Sequence, residues 1–208
     1  VTPARAQLLG LEHYIASPKV EFSADITMSG DGDSIQGKVY RALDKERREV
    51  TVEGDSEVII IRLDRKLVWS LAPEEKLYTE SSLDQALGRE PDAGGAPRDP
   101  QLTVKTLGKE TVEGHATTKQ RVTGKDVDGT PIEGTLWVTP EGIVLRADTV
   151  VIDDDGARHQ ARMELHNLRI ERQDPRLFEV PAGFKRVAPS RLGAAEGRTA
   201  RLLLAGLL

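Results

Sequence analysis

The chain has 208 residues, 38% of them hydrophobic and 30% charged, with 29 Lys and Arg against 34 Asp and Glu for a formal net charge of -5. This composition belongs to a globular chain rather than a membrane-spanning bundle or a disordered segment. The acidic balance leaves no electrostatic footprint for gripping a phosphate backbone, so nucleic acid is not an expected partner. Cys is absent, which removes disulfides, thiolate metal ligands and thiol nucleophiles. No apolar run reaches the roughly 18 residues of a membrane-spanning helix. The chain starts on Val1 with no basic-then-apolar leader before it, and a processed N-terminus is expected.

Residues 2–17 place Ala6, Leu8, Leu9, Leu11, Tyr14 and Ile15 in a near-helical rhythm that Pro18 stops, which predicts an N-terminal helix with an apolar stripe. In residues 20–28, Val20, Phe22, Ala24, Ile26 and Met28 alternate with Glu21, Ser23, Asp25 and Thr27. That period of two predicts a half-buried strand. A turn at residues 30–33 follows, then strands over 35–42 and 47–53, and a second turn at Gly54 and Asp55. The alternating charges of Asp44, Lys45, Glu46, Arg47 and Arg48 read as solvated strand and turn surface.

Residues 57–80, EVIIIRLDRKLVWSLAPEEKLYTE, hold three apolar bursts separated by charged pairs. They predict strands over 58–63, 67–71 and 76–80, with Leu67, Trp69 and Leu71 on one face. The turns between them use Asp64 with Arg65 and Pro73 with Glu74 and Glu75. Residues 81–88 predict a short capped helix ended by Gly88, and the Pro- and Gly-rich residues 89–100 predict a mobile loop. Strands resume over 102–107, 116–123, 132–139, 143–153 and 158–171, separated by turns at 112–114, 126–129, 140–142 and 153–156. The fold class is therefore mainly β (α+β): ten or eleven antiparallel strands, too many to remain flat, whose twist curls the sheet towards a barrel.

The chemistry-bearing motifs give way to structural readings. Asp126, Asp128 and Gly129 resemble the start of a calcium loop, but Leu136 and Trp137 stand where its closing Glu would be. Asp153, Asp154, Asp155 and Gly156 read as a hairpin tip. His159 and His166 are an odd number of positions apart and point to opposite faces of a regular strand, so they share no metal ion. There is no G-x-S-x-G elbow, phosphate-cradling Gly loop or dinucleotide fingerprint. The expectation is no catalysis, no metal and no cofactor. What needs explaining is the apolar inventory, because a curved sheet of this size presents more inner apolar surface than its short helices cover. Either side chains such as Phe22, Trp69 and Trp137 fill the space, or a guest molecule does.

Residues 58–80 also resemble the signature of a bacterial envelope domain of unknown function, in which a strand, an Asp-x-Lys turn, a Trp strand and a P-E-x-K-x-Y-x-E segment follow one another. Further matches are Gly108 to Gly114, Gly134 to Val138, Met163 to Leu168 and Leu177 to Phe184, so the resemblance spans about residues 20–187. That family is similar to the LolA/LolB-like lipoprotein carriers. The resemblance implies an incomplete β-barrel lidded by helices, a periplasmic location, and an apolar cavity for a lipid or acyl chain, in true carriers that of a lipoprotein. Gly37, Lys38, Val39 and Tyr40 match the start of a carrier motif, but Leu43 stands where the carriers have a functional Arg that helps hold the lid shut, with Arg41 close by. The lid mechanism of the carriers is therefore not carried over.

Cavity residues are expected at Phe22, Ile26, Val50, Trp69, Leu71, Leu136, Leu145 and Met163, each placed on an apolar face by alternation. The expected organisation is one half-barrel domain over residues 1–187 and an apolar tail over 188–208 that masks apolar surface. The other reading is an envelope sensor or protein-interaction domain with a filled core and a protein partner.

Overall fold

The computed structural model describes residues 17–30, 33–52, 54–86, 101–125, 131–152 and 158–188. The predicted N-terminal helix, the loop at 89–100 and all but the first position of the tail lie outside the described residues. Six strands form a first meander: β1 (Phe22–Gly30), β2 (Asp33–Ala42), β3 (Lys45–Val52), β4 (Asp55–Arg62), β5 (Leu67–Ala72) and β6 (Leu77–Ser82). Five form a second: β7 (Gln101–Val112), β8 (His115–Lys125), β9 (Pro131–Val138), β10 (Val144–Ile152) and β11 (Arg158–Ile170). Pairing of β1 with β11 joins them into one open 12-stranded sheet, completed by the short β12 (Lys185–Arg186), in the order β12-β6-β5-β4-β3-β2-β1-β11-β10-β9-β8-β7. The meanders keep sequence neighbours adjacent, as short connections dictate. The join between β1 and β11 is non-local.

The strict alternation of β1 appears directly in its burial, with Phe22, Ala24, Ile26 and Met28 buried and the residues between them half-exposed. A short helix α1 (Leu83–Ala86) follows β6. Its start is a capping box, in which Ser82 Oγ accepts from the Gln85 amide at 3.0 Å and Gln85 Oε1 accepts from the Ser82 amide at 3.1 Å, satisfying two donors reciprocally. β7 runs well past the predicted strand, to Val112, while β8 (His115–Lys125) departs from its expected bounds by one residue at the start and two at the end. Thr106 and Gly108 flank a register shift in the β7–β8 pairing, a bulge that breaks the alternation on which the shorter boundary rests.

The sheet buries residues on both faces. The inner face carries the large cluster that includes Ile26, Met28, Val39, Val122, Leu136 and Met163. The outer face carries a second cluster of Val58, Ile60, Trp69, Leu71 and Phe178. This is why residues 58–61 are apolar on successive positions: Ile59 and Ile61 face inward and Val58 and Ile60 outward, and all four are buried.

The outer cluster is closed by the C-terminal strap. Asp174 caps a 3-10 turn over Pro175–Phe178 by accepting from the Arg176 amide, which drops Phe178 onto the outer face of β3 and β4 at 1% exposure. Arg62 donates to the Phe178 carbonyl at 3.2 Å and to Glu179 at 2.5 Å, and holds Asp64 at 2.6–2.7 Å. Arg47 donates to the Leu177 carbonyl at 3.1 Å. β12 then pairs in parallel with β6, so the free edge of that strand is covered at Leu77 and Tyr78.

The Arg62 hydrogen bonds hold the Asp64 carboxyl below its ordinary range. Because the folded value is the depressed one, Asp64 contributes stability above the unfolded carboxylate pKa of about 4, and this is lost as pH falls through the lower folded value. Urea midpoints measured between pH 7 and pH 3 should therefore fall with acid. The fall should be shallower in Asp64→Asn, which should also be less stable than the parent at pH 7. An unchanged acid slope would show that Asp64 does not clamp the strap.

Candidate functional site

The cross-strand register fixes which side chains share the inner face. Ile26 stands opposite Gly37 and Ala24 opposite Val39, while Gly37 stands opposite Val50, Val39 opposite Arg48, and Arg41 opposite Glu46. On the other side of β1, Met28 stands opposite Met163, Met163 opposite Ala147 and Ala147 opposite Leu136. A row of apolar side chains thus crosses the sheet through its non-local join. Gly37 permits the close approach of β2 and β3: a Cβ there would lie 2.1 Å from the Glu49 carbonyl oxygen and 2.8 Å from Val50 Cγ1.

Of the expected cavity residues, Phe22, Ile26, Val50, Leu136, Leu145 and Met163 belong to the inner cluster. Trp69 and Leu71 do not. Trp69 stands opposite Ile60 and Leu71 opposite Val58, which places both on the outer face beneath Phe178. The residues of β5 that share parity with the inner face are Val68 and Ser70, opposite Ile61 and Ile59. The grouping of Leu67, Trp69 and Leu71 holds, but the face they occupy is set by the strap. Trp137 is also absent from the inner cluster. Its indole donates to Glu110 at 2.6 Å, and Lys119 and Arg146 lie 5.0 and 4.6 Å from its ring centroid. Neither Trp fills the inner face.

A polar cluster interrupts this apolar face. Arg41, Glu46 and Arg48 are 6%, 4% and 5% exposed. Arg41 Nη1 donates to Glu46 Oε2 at 2.6 Å and Arg48 Nε donates to Glu46 Oε1 at 2.5 Å, so both carboxylate oxygens are engaged. Arg41 Nη2 also donates to the Leu43 carbonyl at 3.3 Å. The reading of residues 44–48 as solvated surface is corrected here for Glu46 and Arg48. The signal is present in the alternation: Ile35, Gly37, Val39 and Arg41 share one parity, as do Glu46, Arg48 and Val50. Opposite charges at inward positions of one hairpin mark a buried ion cluster, which charge counting alone mistakes for a wet edge.

These three residues line a cavity of about 50 Å³ together with Phe22, Ile26, Val39, Met163 and Leu165, and with Pro18, Gly142 and Val144. A space of that size holds a few waters and no long hydrocarbon chain. Phe22, Ile26 and Met163 are thus brought to one cavity, while Val50, Leu136 and Leu145 lie elsewhere in the same cluster. Among the described residues no group of His, Asp and Glu is arranged to hold a metal ion, and no helix is long and apolar enough to cross a membrane.

A family model described as a domain of unknown function, DUF4412, matches residues 22–149. No curated protein matches the sequence significantly. Among solved structures, the chain is similar to an uncharacterized conserved protein from Thermus thermophilus, with 14% identity, a TM-score of 0.53, and coverage of 81% of this chain and 90% of that one. It is similar also to MucB, with 11% identity, a TM-score of 0.50, and coverage of 82% of this chain but only 61% of MucB. At these identities the likeness shows the fold. A LolA superfamily protein from Nitrosomonas europaea is 12% identical with a TM-score of 0.42, covering 86% of this chain and 98% of that one, a likeness too distant to carry an argument.

Proposed function

The chain belongs to the DUF4412 family, and from that premise we propose that it is a non-enzymatic, periplasmic, carrier-like protein that binds a lipid or acyl chain on the inner face of its sheet. The observation that carries the reading is the continuous apolar row through Val39, Ile26, Met28, Met163, Ala147 and Leu136, which meets a cavity at Phe22, Ile26 and Met163. The residues of the row are buried, each 0–4% exposed, so a guest must displace what now covers them, and once there it exchanges water contact for hydrocarbon contact. Burial of each methylene is worth about 0.8 kcal/mol, so ten of them would supply about 8 kcal/mol before the cost of association. The cavity itself is too small for a whole chain. Most of the guest would lie along the row, and only one end would enter.

The resemblance to the LolA/LolB-like carriers supports the same reading and supplies the periplasmic location. Carriage of a lipoprotein, or of another lipid at the outer membrane, is the task proposed by that resemblance. The test is extraction of the purified full chain with organic solvent, followed by mass spectrometry. Co-purified lipid near one mole per mole of protein is expected. A lipid-free protein that also takes up no added fatty acid would end the proposal.

A second reading, an envelope sensor or protein-interaction domain with a filled core, is favoured by two observations. The inner cavity is small, and β7 forms a long sheet edge with every residue but Leu102 and Val112 exposed. Val104 and Leu107 on that strand are 44% and 49% exposed. An edge of this kind can accept an extended segment of a protein partner. Failure of the lipid test would move the assignment to this reading.

A further inference from the structure

We infer that the cavity walled by Arg41, Glu46 and Arg48 is a head-group site, and that the guest is an amphiphile with one long acyl or alkyl chain and an anionic head, a carboxylate or a phosphate. The inference rests on the lipid-binding reading and names the chemical class of its ligand.

Three observations converge. First, the cavity has one polar wall and one apolar wall. Arg41, Glu46 and Arg48 supply the polar wall, and Phe22, Ile26 and Met163 the apolar wall, which continues into the row that would take a chain. Second, at about 50 Å³ the space suits the few heavy atoms of a carboxylate and not a hydrocarbon tail. Third, the chemistry of the polar wall selects the sign of the ligand. Both Glu46 oxygens already accept from guanidinium groups, so a donor or cation entering the cavity would have to compete with two arginines for one carboxylate. The cluster sets two guanidinium charges against one carboxylate, so an anionic acceptor is favoured over a cation, and guanidinium forks match carboxylate and phosphate oxygens. A low-dielectric wall strengthens that contact relative to the same contact in water.

A neutral isostere of the ligand lacks the oxygen charge that the guanidiniums recognise, so the site should discriminate by head group at constant chain length. The experiment compares three probes on the purified, delipidated full chain at pH 8: a fluorescent polyene fatty acid, its methyl ester, and an alkyl phosphate of similar length that displaces the fluorescent acid. The acid is expected to bind at least tenfold more tightly than the ester, with the phosphate displacing it, and the order of acid and phosphate assigns the head group. In Arg48→Met and in Arg41→Met the ratio of acid to ester affinity should fall towards one, and in Arg48→Lys it should be partly retained. Equal affinity of acid and ester in the unaltered protein overturns the head-group site while leaving lipid binding in place. That comparison decides the matter even where a variant fails to fold. A preference for the acid that survives both Met substitutions also overturns it. Binding of none of the probes overturns the site together with the lipid reading.

Discussion

Phe178→Ala is expected to destabilise the protein by about 3–5 kcal/mol, the range for truncating a fully buried aromatic side chain. Phe178 is 1% exposed, and it is the strap's buried contribution to a cluster otherwise built from Val58, Ile60, Trp69 and Leu71 on the sheet. Truncation leaves a cavity over Trp69, whose surroundings relax little because the strap is fixed on either side. Arg47 and Arg62 hold the carbonyls of Leu177 and Phe178, and β12 pairs with β6. The loss should appear as a lower urea midpoint with an unchanged slope. Trp69 provides a local reporter, since its indole donates to Glu80 at 2.9 Å and the ring should redden in emission as water reaches it. A loss below about 1 kcal/mol would mean that the strap rests on the sheet without closing a core, against the range cited above.

Glu46→Ala carries the second large effect and separates two meanings of the buried cluster. Removing the carboxylate leaves the Arg41 and Arg48 guanidiniums without the acceptor they share, and breaking a buried pair in this way typically costs about 3–5 kcal/mol. Replacing all three residues together, as Arg41→Met with Glu46→Leu and Arg48→Met, removes the desolvation of the charges along with their attraction, and such swaps are often neutral or stabilising by about 1–4 kcal/mol. The expected outcome is a strongly weakened single variant and a triple variant at least as stable as the parent, measured by chemical denaturation. The triple variant should at the same time lose its preference for anionic amphiphiles. A triple variant that is as unstable as Glu46→Ala would make the cluster a structural necessity of the β2–β3 hairpin.

The parts of the fold legible in the chain are those where local patterning decides. β1 alternates residue by residue because one face is buried and the other is half wet, and β8 through β11 follow from turn residues between apolar runs. The helix after β6 is legible in Ser82 and Gln85, whose capping geometry is written in residues three apart. β12 is not legible, because two residues that pair with β6 across the chain carry no local strand signal. The boundary of β7 escapes the same reading because a bulge removes the period of two.

The candidate site divides along the same line. Alternation groups Phe22, Ile26, Val50, Leu136, Leu145 and Met163 onto apolar faces, and each lies in the inner cluster. For Trp69 and Leu71 alternation gives the grouping but not the face, since β4 is buried on both sides and a strand beside it can turn its apolar residues either way. The strap resolves that choice by bringing Phe178 to the outer face. Arg41, Glu46 and Arg48 are hidden for the complementary reason: a charge is read as solvated unless something reveals its partner. The parity that turns all three inward has meaning only after β2 and β3 are paired.

Residue types and contacts a few positions apart suffice to establish an antiparallel, mainly β chain with alternating apolar faces and no cysteine chemistry. Four further features emerge only in three dimensions: which face is inner, the join of β1 to β11, the sealing of the outer core by the C-terminal strap, and the shared burial of three charged residues of one hairpin. Those outcomes depend on segments distant along the chain meeting in space. Burial and register are properties of that meeting and of no residue alone.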